Sequence, residues 1–234
     1  METIPNKLTN DDIEYIQDQS ARMEWNTFPL DRQLPVGSVW KMFKDEYKKV
    51  LKTKEKFSGN KNQRLREGYF SLFVAVAKSR LEQKEHWLAF PKDPKCDAHL
   101  LSVKEVKNGH PTLWNFPCDV KEYTSYSPSF LQFLGEKVVP RLELENYNII
   151  IGIHADISDP QPAIDLLKQR TQKLTVWLVS NTAKDEYDIA KGRVIMVFGD
   201  IVKFCDIDLS TEIPQVKDGE SVLIFQNYLR DKLI

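Results

Sequence analysis

Cysteine is scarce in this 234-residue chain: Cys96, Cys118 and Cys205 are the only three, far apart and without a C-x-x-C. That excludes both a disulfide framework and a zinc ribbon. Glycine is scarce too, with nine residues each standing alone. No G-x-G-x-x-G, G-x-x-x-x-G-K-[ST] or G-x-S-x-G occurs, so neither a phosphate-cradling loop nor a serine-hydrolase elbow is written here. The four histidines, His86, His99, His110 and His154, form no H-E-x-x-H pair. Long apolar runs are missing as well. Ile149–Ile153 and Val222–Phe225 fall far short of the ~20 residues that cross a bilayer, and Met1–Lys7 has no apolar core of a secretory signal. The expectation is a chain without membrane attachment, in a reducing, cytoplasmic compartment.

What is present is an ordinary globular balance, 41% hydrophobic and 29% charged, which excludes disordered and fibrous classes. A chain of this size buries about 70–75% of the surface its unfolded form exposes, so it folds without staples. The net charge of -1 hides an uneven distribution. Met1–Trp40 holds seven acids against three bases, whereas Lys41–Arg66 holds ten bases against three acids. Such a block can neutralise several phosphates, with Lys48, Lys49, Lys52, Lys61 and Arg64 as the candidate nucleic-acid contacts. The same run also reads as the solvated face of a lysine-rich helix.

Thr9-Asn10-Asp11-Asp12 predicts a helix start, and apolar spacing predicts helices over about 38–54 and 62–83. Apolar residues nearly encircle the second of these between Tyr69 and Ala77, which predicts deep burial. Ser58-Gly59-Asn60 is a turn signal, placing a helical N-terminal segment over 1–58 and an α/β domain over 59–234. In that domain a short strand over 85–90 precedes two strands, 98–106 and 112–124, joined by the Asn108-Gly109 hairpin signal. A helix from Ser127-Pro128 to about Val139 and a buried strand over 148–154 follow. Further expectations are a helix over 159–170, strands over 174–180, 193–198 and 202–207, and a last helix over 219–232. The fold class is α/β, a mixed central sheet of five or six strands flanked by helices.

The chemistry concentrates between residues 97 and 121. Side chains at i and i+2 of a strand share a face, so Asp119 and Lys121 point together. Asp97 opens the preceding strand and lies across from Asp119 in a suitable register. Two converging carboxylates are hard oxygen ligands for Mg²⁺, which keeps several waters of its own. A lysine beside them orients an attacking water and stabilises charge on a phosphoryl oxygen.

The order helix, strand, strand opening with Asp97, strand carrying Asp119-Val120-Lys121, helix, strand resembles the PD-(D/E)xK nuclease superfamily. This covers about residues 62–154. The resemblance implies a restriction-endonuclease-like core and a metal-dependent deoxyribonuclease that uses Mg²⁺, or Mn²⁺. It implies Asp97 and Asp119 as metal ligands and Lys121 as the water-positioning or charge-stabilising group. Glu67 becomes the carboxylate on the first core helix, with Glu82 as its rival. DNA is the implied partner, and a homodimer is the arrangement of palindrome-cutting members. Cys96 stands where proline is typical, Asp119 stands where glutamate is commoner, and no Gln-x-x-x-Tyr follows the lysine.

Acid-x-Lys also occurs at Glu46, Glu82, Asp93 and Glu105. The choice of Asp119 rests on its place inside a long strand pattern, while Glu105-Val106-Lys107 abuts the hairpin turn. Other readings stay open. Asp119 and Lys121 also fit a solvated ion pair on an edge strand. The same fold serves as a non-catalytic nucleic-acid or protein binding platform. A small-molecule site at the strand ends near His154 and Asp156 is a third option. Trp87, Trp114, Tyr123 and Tyr126 fit either base stacking or packing.

Overall fold

The computed structural model describes residues 7–20, 22–25, 34–53, 62–90, 96–107, 110–124, 129–144, 147–154, 157, 159–171, 173–182 and 189–213. Helix α1 (Asn10–Ser20) begins with a reciprocal cap. Thr9 Oγ1 accepts from the Asp12 N–H at 3.1 Å, and Asp12 Oδ2 accepts from the Thr9 N–H at 3.0 Å. These bonds satisfy two of the donors that a helix start leaves open. After β1 (Arg22–Trp25) and β2 (Leu34–Pro35) come α2 (Val36–Thr53) and α3 (Gln63–Glu82). Strands β3 (Trp87–Ala89), β4 (Ala98–Lys107) and β5 (His110–Tyr123) form an antiparallel meander. The crossover helix runs through α4 (Phe130–Phe133), a π turn (Leu134–Val138) and α5 (Val139–Leu144) to β6 (Asn148–Ile153). Helix α6 (Gln161–Lys168), strands β7 (Val176–Asn181), β8 (Lys191–Phe198) and β9 (Ile201–Asp208), and the short α7 (Leu209–Glu212) follow.

Nine strands among the described residues form one mixed sheet in the order β2-β3-β4-β5-β6-β7-β8-β9, with β1 paired to β5. Strands β5, β6 and β7 are parallel and the other pairings antiparallel. Alternation along the central strands sends side chains to two cores. Ile150, Val120 and Phe116 pack with α1, α2 and α3, while Ile149, Ile151 and Ile153 pack with α4 and α6. All six residues of β6 are buried, as its unbroken apolar run predicts for a strand covered on both faces. Helix α3 is buried almost all round, and its Phe70 sits so close to β6 that a Cβ on Gly152 would meet the ring at 2.2 Å. Phe43 of α2 stacks on Tyr69 of α3 with centroids 4.5 Å apart.

The sheet is larger than the five or six strands expected. Residues 1–58, read as helical, also supply β1 and β2. These are too short, four and two residues, to carry a period of their own. The crossover helix also runs past Val139, its expected end, through Pro140 to Leu144. Val139 donates to Leu134 O, five residues back, and this widened turn gives the proline ring room inside the helix. The turn signals at Ser58-Gly59-Asn60, Asn108-Gly109 and Ser127-Pro128 and the helix over 219–232 lie outside the described residues. No described helix is long and apolar enough to cross a membrane.

Candidate active site

Strand β4 stops pairing with β5 at Ala98, opposite Cys118. One residue earlier, the Asp97 N–H donates to Cys118 O at 2.9 Å. The next donor along the edge of β5, the Val120 N–H, is taken at 2.9 Å by Asp97 Oδ2. The carboxylate therefore continues the ladder where the strand leaves off. Asp119 and Lys121 share a face of β5, and Lys121 Nζ lies 2.8 Å from Asp119 Oδ1 and 2.7 Å from Oδ2. Asp119 is buried, and both its oxygens lie within hydrogen-bond reach of that ammonium.

Glu67 enters from the first turns of α3. Its Oε1 accepts from Gln63 Nε2 at 2.8 Å and its Oε2 from Arg64 Nη1 at 3.1 Å. The same Arg64 nitrogen reaches Asp97 Oδ1 at 3.3 Å. Burial, together with the neighbouring Asp119 carboxyl and the Glu67 charge, pushes Asp97 up to about 6, against the pull of the Val120 N–H. Three carboxylates thus gather where β4 ends beside β5, an inner strand of the sheet, and burial together with their charge is registered at Asp97.

The expected residues Asp97, Asp119, Lys121 and Glu67 are therefore brought into one neighbourhood. Glu82, the rival of Glu67, is not. It lies at the other end of α3, paired with the buried Lys78 and 3.3 Å from His86 Nε2. Arg64, expected among the phosphate contacts, reaches the carboxylates. Lys48 and Lys49 stand exposed on α2, with Lys49 paired to Glu46. Lys52 lies in the last turn of α2, and Lys61 falls outside the described residues. Trp87 and Tyr123 are buried and Trp114 half-buried beneath Lys104 Nζ, so the first two pack in the core. Tyr126 lies outside the described residues.

Two polar chains join residues that the sequence did not connect, His154 among them. On the face of β5 opposite Lys121, Glu122 Oε2 accepts from Arg66 Nε at 2.6 Å and lies 2.8 Å from His154 Nε2. Burial raises the Glu122 carboxyl, but these two partners outweigh it and hold the group below its ordinary range. The signal was the parallel register, which sets Glu122 beside Gly152, with His154 two residues further on the same face. Asp156 lies outside the described residues. Beside Asp97, Cys96 Sγ lies 3.1 Å from His99 Nε2, and His99 Nδ1 lies 2.8 Å from Asn115 Oδ1.

A hard divalent cation suits the donors at Asp97 and Asp119. Both are carboxylates, and Asp97 is destabilised as an anion by burial and by the Asp119 and Glu67 carboxyls beside it, which a divalent cation would relieve. Among the described residues no group of three or more His, Cys, Asp or Glu side chains is arranged to hold a metal ion. The candidate ligand set is therefore this pair, which is sufficient for an ion that keeps most of its waters. No family model, curated protein or solved structure matches the chain.

Proposed function

We propose that the protein is a metal-dependent deoxyribonuclease with a restriction-endonuclease-like core. The observation that carries this is the meeting of Asp97, Asp119 and Glu67 beside Lys121 at the edge of β5. The order of elements supports it: α3, the β3–β4–β5 meander, the crossover helix, and β6 parallel to β5.

Asp97 and Asp119 would hold Mg²⁺ or Mn²⁺. When bound, such an ion polarises a phosphoryl oxygen and makes a nearby water more acidic. Lys121, half-buried on the same face as Asp119, turns its ammonium from that carboxylate toward the attacking water and the phosphoryl oxygen. It orients the one and stabilises the charge growing on the other. Glu67 adds negative potential that favours a cation at Asp97. The exposed lysines of α2, Lys48 and Lys49, with Lys52 and Lys61, would contact the DNA backbone, so binding should weaken steeply with salt. A homodimer acting on a two-fold symmetric site belongs to the same proposal.

Incubation with plasmid, linear and single-stranded DNA in Mg²⁺, in Mn²⁺ and with chelator tests the reading. Metal-dependent cleavage should disappear in Lys121→Ala while DNA binding persists. Full activity in that variant would overturn the assignment.

A second reading, a non-catalytic nucleic-acid or protein binding platform, is favoured by the fact that Arg64 and Lys121 already partner the carboxylates. In that case Mg²⁺ and Mn²⁺ produce no calorimetric signal in the wild type.

A further inference from the structure

Each of the two carboxylates flanking Arg64 is held in the same manner. One oxygen is fixed by a neutral donor and the other faces the guanidinium. On Glu67, Gln63 Nε2 holds Oε1 at 2.8 Å, and Oε2 faces Arg64 Nη1 at 3.1 Å. On Asp97, the Val120 N–H holds Oδ2 at 2.9 Å, and Oδ1 faces the same nitrogen at 3.3 Å. The neutral bonds fix the orientation of both carboxylates, so two anionic oxygens converge on one point whether or not a cation stands there.

The cation standing there is loosely held. Glu67 is 4% exposed and Asp97 19%, but the Arg64 side chain is 62% exposed. Its distances are long for charge-assisted bonds, and one nitrogen serves both acids where a bidentate fork would use two. An ion pair with so exposed a partner is weak, and its guanidinium returns to water at little cost. Charge favours the exchange. Three carboxylates against Arg64 and Lys121 leave the site one negative charge in excess, and replacing the guanidinium by a divalent ion neutralises it.

We infer that Arg64 is a resident counter-ion of the carboxylate cluster, which a divalent cation must displace from Asp97 Oδ1 in order to bind, so that this side chain sets the metal affinity of the site. The inference rests on the metal-site reading above. It gives Arg64 two positions: inward on the acids without metal, and outward with metal, where its planar donor fork is free for a phosphate. By linkage, DNA that engages the outward guanidinium tightens metal binding by the same factor that metal tightens DNA binding.

Calorimetric titration of Mn²⁺ and Mg²⁺ into the full chain without nucleic acid tests it, using wild type, Arg64→Ala, Arg64→Lys and Asp97→Asn. Arg64→Ala should bind about two- to fivefold more tightly than wild type, as expected for loss of a weak competing ion pair. Arg64→Lys keeps a positive charge at this position and should gain less. Asp97→Asn should lose binding. Equal or weaker affinity in Arg64→Ala, with binding still present in wild type and lost in Asp97→Asn, overturns the inference and leaves the metal site standing. Binding absent from wild type but present in Arg64→Ala supports it in its strongest form. Absence from both overturns the metal-site reading itself, and the inference with it.

Discussion

Asp97 Oδ2 accepts the Val120 N–H at 2.9 Å, so one carboxylate both ends a β ladder and faces two other acids. An asparagine can keep that hydrogen bond through its side-chain oxygen while shedding the charge. The proton that Asp97 retains up to about pH 6 in the fold, against 3.8 when unperturbed, contributes stability that is complete below about pH 3.8. This contribution is lost as pH rises through 6. Asp97→Asn is therefore expected to be more stable than wild type at pH 7, with a melting temperature higher by about 2–4 °C for each kcal/mol gained. The difference should close as the pH is lowered to about 4. Thermal unfolding at a series of pH values checks both parts, and a less stable variant at pH 7 would contradict them.

Acid sensitivity should come from the far end of α3. Burial disfavours the Glu82 carboxylate, but Lys78 and His86 outweigh it and bring the group down to about 2 from 4.5. Burial also holds His86 below its ordinary 6.5 despite the attraction of Glu82. The His86 contribution is present above about pH 6.5 and is lost as pH falls. That of Glu82 is complete above about pH 4.5 and is lost on the way to 2. Glu82→Gln should cost about 3–5 kcal/mol at pH 7, because Lys78 is left buried without its carboxylate. It should also flatten the decline in acid, and urea midpoints at pH 7, 5.5 and 4 would show both effects.

Gly152 lies in β6 under Phe70, and any side chain there collides with the ring. Gly152→Ala is expected to destabilise by about 1–3 kcal/mol through overpacking. Phe70 also meets the His154 ring edge-on at 5.2 Å. A shift of the His154 imidazole resonances in the same variant would report the displaced ring, and unchanged stability would contradict the packing argument.

Legibility in the sequence followed the range of each interaction. The helix start at Thr9 and Asp12 was readable because both members of the cap lie within four residues. The β4–β5 hairpin and β6 were readable because Asn108-Gly109 and an unbroken apolar run are local signals. Asp97, Asp119 and Lys121 could be paired because alternation and a hairpin register fix their face and distance. Strand β1 was not readable, since Arg22–Trp25 acquires strand geometry only by pairing with residues 112–115. The same applies to Arg64. Composition placed it in a basic block; its pairing with Glu67 is a local i,i+3 contact, and only the docking of α3 on the sheet brings it to Asp97. The expected end of the crossover helix, near Val139, falls too early, because the π turn over Leu134–Val138 that carries it past Pro140 breaks the 3.6-residue period.

The single long strand β5 also sets an order of assembly. Lys107 pairs with His110 across two residues, so the β4–β5 hairpin can zip within about 1–10 μs of collapse and bring Asp97 beside Asp119 with almost no loop to close. The partners on its other edge are remote: β6 arrives only after the crossover helix, and β1 must return from the beginning of the chain. Closing those loops costs more entropy, and contacts of high sequence separation form late. The two aspartates are therefore neighbours before α3 can deliver Arg64, with Lys121 on the same strand as the first group to offset their charge.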